Sequence, residues 1–272
     1  RMCAAAEELE SAENFDVIGI SCGGPLDSRR GIILSPPNLP GWDEIRVVEY
    51  LEKRFGCRAY LQNDANACAV AEWKYGAGKG LNNVVFLTFG TGLGAGLILD
   101  GKLYSGATDT AGEVGHIRLG EYGPVGFGKS GSFEGFCSGG GIANLGRIYA
   151  QEAFQSGKCV SYCKNAEYMP KINAKEIAEL AQGGDADAKR VFDECGKKLG
   201  MGLSIIIDIL NPDAIILGSI YLRCENLLKD AALSVIEREA LLQPRTACKI
   251  VSAGLGEKLG DYAALSIAAM NL

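Results

Sequence analysis

Thr88-Phe-Gly-Thr-Gly-Leu-Gly-Ala-Gly96 is the stretch on which the fold turns. It follows Asn83-Val-Val-Phe-Leu87, a β-branched and aromatic run that predicts a strand. Glycines alternate at Gly90, Gly92, Gly94 and Gly96, a pattern that allows unusual dihedrals and close approach of backbone to a ligand. Successive exposed N–H groups would then form an anion-binding concavity. A dinucleotide-binding turn needs a helix straight after its glycines. Here Leu97-Ile-Leu99 comes next, then Asp100-Gly101 and Lys102-Leu-Tyr104. Asp-Gly between apolar runs predicts a tight hairpin. The order strand, glycine loop, hairpin excludes a Rossmann turn and points to phosphate; a glycine-rich hairpin without a ligand is the competing reading.

A second glycine-rich stretch, Gly123-Pro-Val-Gly-Phe-Gly-Lys-Ser130, matches the P-loop pattern letter for letter. In a P-loop the lysine and serine open a helix whose N-terminus holds phosphate. Gly131-Ser-Phe-Glu-Gly135 follows instead. Ile205-Ile-Ile-Asp208, which could serve as the second nucleotide strand, lies inside a helical run that ends at Asn211-Pro212. Both are read as decoys.

Two motifs flank the loop. Asn63-Asp64 closes the run Arg58-Ala-Tyr-Leu-Gln62 and opens a helical pattern from Ala65. Ligands of open α/β sheets gather at the carboxyl ends of strands, and a carboxylate there can serve as general base to a hydroxyl. The alternative is that Asp64 only caps the helix. Downstream, Gly112-Glu-Val-Gly-His116 carries Glu113 and the only histidine of the chain, and Ser132-Phe-Glu-Gly135 carries Glu134. Carboxylates and amides suit sugar hydroxyls, which both donate and accept hydrogen bonds. A lone histidine is more commonly a structural hydrogen-bonder than a ligand.

The 272 residues suffice for one large domain or two lobes with cores of their own. A net charge of −6 without a basic cluster argues against nucleic acid as a partner. No apolar run has membrane-spanning length. The ten cysteines are scattered with no CxxC pair, which reads as reduced thiols of a cytoplasmic protein. Strands are predicted at 15–21, 58–62, 83–89, 94–99, 114–119, 214–218 and 247–251. Helices are predicted near 43–55, 65–76, 140–155, 174–182, 186–210, 221–240 and 259–270. The alternation predicts α/β layers. Glycines cluster at Gly76-Ala-Gly-Lys-Gly80, the expected change of lobe. Arg1 to Leu9 is helix-like and runs straight into a strand from Phe15, as if the chain began inside a domain.

Taken together, these motifs resemble the ROK family of bacterial sugar kinases and sugar-responsive repressors. The resemblance runs through Gly19-Ile-Ser-Cys-Gly-Gly-Pro25, Ser35-Pro-Pro-Asn-Leu-Pro-Gly-Trp42, Asn63-Asp-Ala-Asn-Ala67, the Thr88 to Gly96 loop, Gly112-Glu-Val-Gly-His116 and Asn211-Pro-Asp-Ala-Ile-Ile-Leu-Gly218. It implies an α/β, two-lobed actin- and hexokinase-like (ribonuclease H-like) fold with a central cleft. The expected small lobe is 1–77, completed by a helix over 258–272, and the large lobe is 78–257. It implies ATP-dependent phosphorylation of a hexose or hexosamine, with Asp64 as catalytic base. Gly24, Asn63, Glu113, His116 and Glu134 would contact sugar; Thr88, Gly90, Thr91 and Gly92 would hold phosphate; Gly218 and Ser219 would lie near adenosine. Mg²⁺ would bridge the phosphates. Members are commonly homodimers or homotetramers.

Three departures stand out. Family kinases open with a strand hairpin bearing an Asp-x-Gly-Gly-Thr loop, and none precedes Phe15; the expectation is a chain that lacks its natural first strands, against a degenerate member, and a sensor that binds sugar without transferring phosphate is the rival reading. Many members hold a structural Zn²⁺ through one His and three Cys; the matching cysteine positions here are Val125, Phe127 and Ser132, so no zinc is expected. Where a second glycine usually follows Gly218, this chain has Ser219.

Overall fold

The computed structural model describes residues 16–272. The helix expected over Arg1 to Leu9 and the start of the first strand lie outside them. In chain order the elements are β1 (Val17–Cys22), β2 (Leu26–Asp27), β3 (Ile32–Ile33), α1 (Val47–Phe55), β4 (Arg58–Asn63), α2 (Asp64–Tyr75), β5 (Val84–Phe89), β6 (Leu93–Leu99) and β7 (Lys102–Leu103). Next come β8 (Val125–Gly126), β9 (Lys129–Ser130), α3 (Phe133–Phe136), α4 (Gly139–Gln155), α5 (Ala174–Gln182), α6 (Ala186–Leu210) and β10 (Ala214–Leu217). The chain closes with α7 (Ile220–Glu239), α8 (Leu242–Ala247), β11 (Lys249–Ser252) and α9 (Leu259–Ala269).

The main sheet has the order β11-β10-β5-β6-β7, with β10 parallel to β5 and β11 and the β5-β6-β7 meander antiparallel. Its central strands are apolar on both faces, as a sheet covered twice requires. Val85, Leu87, Phe89, Ile215 and Leu217 face the larger core, shared with α4, α6 and α7. Val84, Phe86 and Ile216 face a second core made with α2 and α9. A third cluster (Ile20, Leu26, Ile33, Val47, Leu51, Ala59, Leu61) joins the parallel β1–β4 pair to α1 and the β2–β3 hairpin.

Two elements connect these units. α2 leads from β4 to the main sheet, and Gly96 of β6 lies directly beneath it: a Cβ there would come within 2.3 Å of the Ala65 carbonyl oxygen. α9 returns from β11 to β1, where a Cβ on Gly19 would come within 2.0 Å of the Ala264 carbonyl oxygen. At the far end of α2 the fully buried Glu72 carboxylate accepts N–H groups from Ala77 (2.8 Å), Gly254 (3.0 Å) and Leu255 (2.9 Å). A buried charge demands such partners.

Most expected elements form, and the differences have local causes. The strand expected at 114–119 is a 3₁₀ turn, Val114–His116, because Gly115 is pressed against Leu93 and its Cβ would lie 2.2 Å from that carbonyl oxygen. α1 begins at Val47 because Ile45 pairs with Ile33 in an isolated bridge. Asp100 and Gly101 take φ of 51° and 70°, the left-handed pair that a two-residue hairpin turn demands. Asn211 ends the 25-residue α6 at φ 44°.

Candidate active site

The glycine loop is itself a hairpin turn. Phe89 pairs with Leu93 and Thr88 with Gly94, and Gly90 N donates to Gly92 O at 3.0 Å. None of its four glycines has a left-handed φ, so the expectation of unusual dihedrals is corrected. Close approach is what removes the side chains. A Cβ on Gly92 would lie 2.7 Å from Glu134 Oε2, and one on Gly90 would lie 3.4 Å from Ser219 Oγ.

Three backbone segments meet at this end of the sheet. Beside the loop, Gly139 at the start of α4 donates its N–H to Gly90 O at 2.8 Å. Ser138 caps α4, its Oγ accepting from Gly141 N at 2.9 Å. On the other side Gly218 N donates to Leu87 O at 3.1 Å, and Ser219 opens α7 at φ 56°. Sequence reasoning placed Gly90, Gly218 and Ser219 here but missed Ser138 and Gly139. Their signal was the Gly139-Gly-Gly141 run ahead of a long helix.

Asp64, the expected acid–base residue, stands at the carboxyl end of β4. Capping of α2 falls to Asn63, whose Oδ1 accepts from Ala65 N (2.9 Å) and Asn66 N (3.3 Å). Asn63, and not Asp64, is therefore the N-cap of α2. Asp64 is exposed; its Oδ1 accepts from Ala65 N at 2.8 Å, and its Oδ2 lies 3.9 Å from the Cβ position of Gly23. Asn63 Nδ2 lies 3.5 Å from the Cβ position of Gly24, so both residues face the same glycine segment.

Opposite them stand Glu113, His116 and Glu134. Glu134 sits in the first turn of α3 and its Oε2 accepts from Leu93 N at 3.0 Å. Desolvation raises the Glu113 pKa; the His116 imidazole opposes this, and the Glu134 and Asp64 carboxylates add to it. The Glu134 and Asp64 carboxylates thus both stand close enough to act on Glu113. Thr88 bonds within the loop, its Oγ1 accepting from Gly94 N at 3.3 Å, while Thr91 is exposed at the tip.

The P-loop decoy folds as the β8–β9 hairpin, and Lys129 and Ser130 lie in β9 instead of opening a helix. The Lys129 amine donates to the His116 carbonyl oxygen. The Phe127 and His116 rings meet edge to face at 5.3 Å between centroids. Among the described residues no group of three or more His, Cys, Asp or Glu could hold a metal ion, and no helix is long and apolar enough to cross a membrane.

This mixed α/β fold, with its converging backbone turns above the central strands, is that of the actin-like ATPases. The chain belongs to the ROK family, whose model matches residues 4–270. It is 31% identical over 219 residues to a glucokinase of Thermotoga maritima, covering 80% of this chain and 68% of that one. Other curated relatives are spanned over as little as 49% of their length. A ROK family glucokinase from Streptomyces griseus, solved in complex with glucose and AMPPNP, superposes with a TM-score of 0.79 at 29% identity, over 99% of this chain and 86% of that one. A ROK family transcriptional regulator, a homologue of the Escherichia coli MLC protein, superposes with a TM-score of 0.83 at 25% identity, over 98% of this chain and 67% of that one.

Proposed function

We propose that this chain is an ATP-dependent kinase of a hexose or hexosamine hydroxyl, with Asp64 as general base. The observation that carries the reading is the Asp64 carboxylate: exposed at the end of β4, with one oxygen on the Ala65 N–H and the other toward Gly23, and close enough to Glu113 to act on it. The sugar lies between Gly24 and Asn63 on one wall and Glu113, His116 and Glu134 on the other, whose acceptors orient its hydroxyls. Asp64 takes the proton from the reacting hydroxyl as the oxygen attacks phosphorus.

The nucleotide fits the turns around Gly90, Gly139 and Gly218: their backbones crowd together without side chains, and Ser219 Oγ faces the loop. Thr88, Gly90, Thr91 and Gly92 hold phosphate and Gly218–Ser219 the adenosine end. When bound, ATP supplies the γ-phosphoryl group and Mg²⁺, carried chiefly by the phosphates, offsets its charge. In this reading the lobes are 1–77 with 258–272, and 78–257; copies assemble as homodimers or homotetramers in the cytoplasm, and neither nucleic acid nor membrane is a partner.

The test is ADP release with Mg-ATP against glucose, mannose, fructose, N-acetylglucosamine and N-acetylmannosamine. Asp64→Asn should keep sugar binding and lose on the order of 10²- to 10⁴-fold in turnover. Near wild-type turnover in that variant would remove Asp64 from the role. The likeness to a transcriptional regulator favours a second reading, a sugar sensor. A sensor would bind sugar and show no Mg-ATP binding.

A further inference from the structure

Ser28 follows β2, and its backbone N–H donates to Asp109 Oδ2 at 2.7 Å across 81 positions of sequence. This bond joins the two walls of the cleft. On one side, Leu26 and Asp27 of β2 continue directly from Gly23-Gly24-Pro25, the segment that faces Asp64 and Asn63. The turn is braced locally, since Asp27 Oδ1 accepts from Arg30 N at 2.9 Å. On the other side, Asp109 belongs to the loop between β7 and Glu113. That loop is anchored at its base, where Ala111 N donates to Ser105 O (3.1 Å) and Gly112 O accepts from Ala95 N (2.8 Å). At its tip the Thr108 and Thr110 hydroxyls bond to each other at 2.8 Å.

Asp109 is held at φ 57°, a left-handed backbone that glycine would take without strain. Aspartate tolerates it better than most residues. The carboxylate therefore reaches Ser28 from a position whose backbone favours a different residue. A charge-assisted hydrogen bond is among the stronger kinds.

We propose that Asp109 is a positioning residue: it clasps the β2–β3 turn to the loop that carries Glu113, and so tightens the cleft on bound sugar. This rests on the sugar-cleft reading above. The Asp109–Ser28 bond includes no residue of Thr88–Gly92 or of the Gly218–Ser219 turn, so it acts on sugar affinity and leaves nucleotide affinity alone. No bond to substrate is assigned to it.

The test compares Asp109→Gly with Asp109→Asn. The glycine variant removes the acceptor but suits the left-handed backbone, so its Tm should not fall. Its Kd for whichever sugar of the panel binds best, measured by calorimetry, should rise about tenfold while the KM for ATP stays put. The asparagine variant keeps an acceptor oxygen and the backbone, so its sugar Kd should stay within about threefold of wild type. An unchanged sugar Kd in Asp109→Gly overturns the proposal, as does a fall in Tm with affinity intact. If wild-type protein binds none of the sugars, the sugar-kinase reading fails instead. The clasp is then read from amide exchange at Ser28 in the free protein. Faster exchange in the glycine variant than in wild type supports it, and equal exchange overturns it.

Discussion

Leu93 donates its backbone N–H to Oε2 of Glu134 at 3.0 Å, so a carboxylate of the wall proposed for sugar also touches the glycine loop. A Cβ on Gly92 would press on the same oxygen, which leaves that carboxylate one seat. Glu134 therefore links the two halves of the proposed reaction. Glu134→Ala should raise the KM for both sugar and ATP, whereas Glu113→Ala should raise only that for sugar. Steady-state kinetics with each substrate varied in turn distinguish the two patterns.

The pH dependence of sugar binding should carry the signature of Glu113. Desolvation raises its pKa above the ordinary 4.5. Sugar hydroxyls donate to the ionised form, so affinity is lost on acidification sooner than for an ordinary carboxylate. The sign for stability is opposite. The fold holds the Glu113 proton more tightly than the unfolded chain does, so this group's contribution declines as pH rises through the window between its two pKa values. Calorimetry of sugar binding between about pH 4 and 8 should show the acidic limb shifted to lower pH in Glu113→Gln, at weaker affinity.

Lys129 sits where a P-loop lysine would, yet its amine is spent on the His116 carbonyl. Lys129→Ala should leave the Kd for Mg-ATP unchanged, measured by calorimetry, and loosen the β8–β9 hairpin. Abolished nucleotide binding would restore the P-loop reading.

Gly96 supports the start of α2 with no room for a side chain. Gly96→Ala sets a methyl against the Ala65 carbonyl and the Ala69 side chain, whose Cβ would be 2.6 Å away. Overpacking of this kind costs about 1–3 kcal/mol. Urea denaturation should show that loss, together with reduced turnover, because the same turn of helix carries Asp64.

Much of this was legible in sequence because it is local. The apolar run at Val84–Phe89, the Asp100-Gly101 turn and the Asn211-Pro212 stop each act through their own backbone, and all three form as read. Around the site the contacts are long-range, and there the reading faltered. The glycines of the loop serve neighbours such as Glu134 and Ser219, which no local pattern names. Asn63 takes the cap because its side chain precedes the first helical turn, and Asp64 one residue later keeps a single bond to that turn; strand and helix boundaries of that precision are not resolved by periodicity. The strand expected at 114–119 failed because backbone packing against Leu93 overrides an apolar alternation. Asp109 left no trace at all, being one acidic residue between two threonines in a loop.

Glu72 gathers the amides of Ala77, Gly254 and Leu255, and these belong to the two passages between the β1–β4 pair and the main sheet. Both passages are thus pinned to one buried carboxylate. Along α2, Asp64 lies eight residues from Glu72, a span of about 12 Å. Gly96 of the main sheet presses on the helix at Ala65, so α2 is fastened at both ends, and the group proposed to take the proton stands on a rod tied down twice.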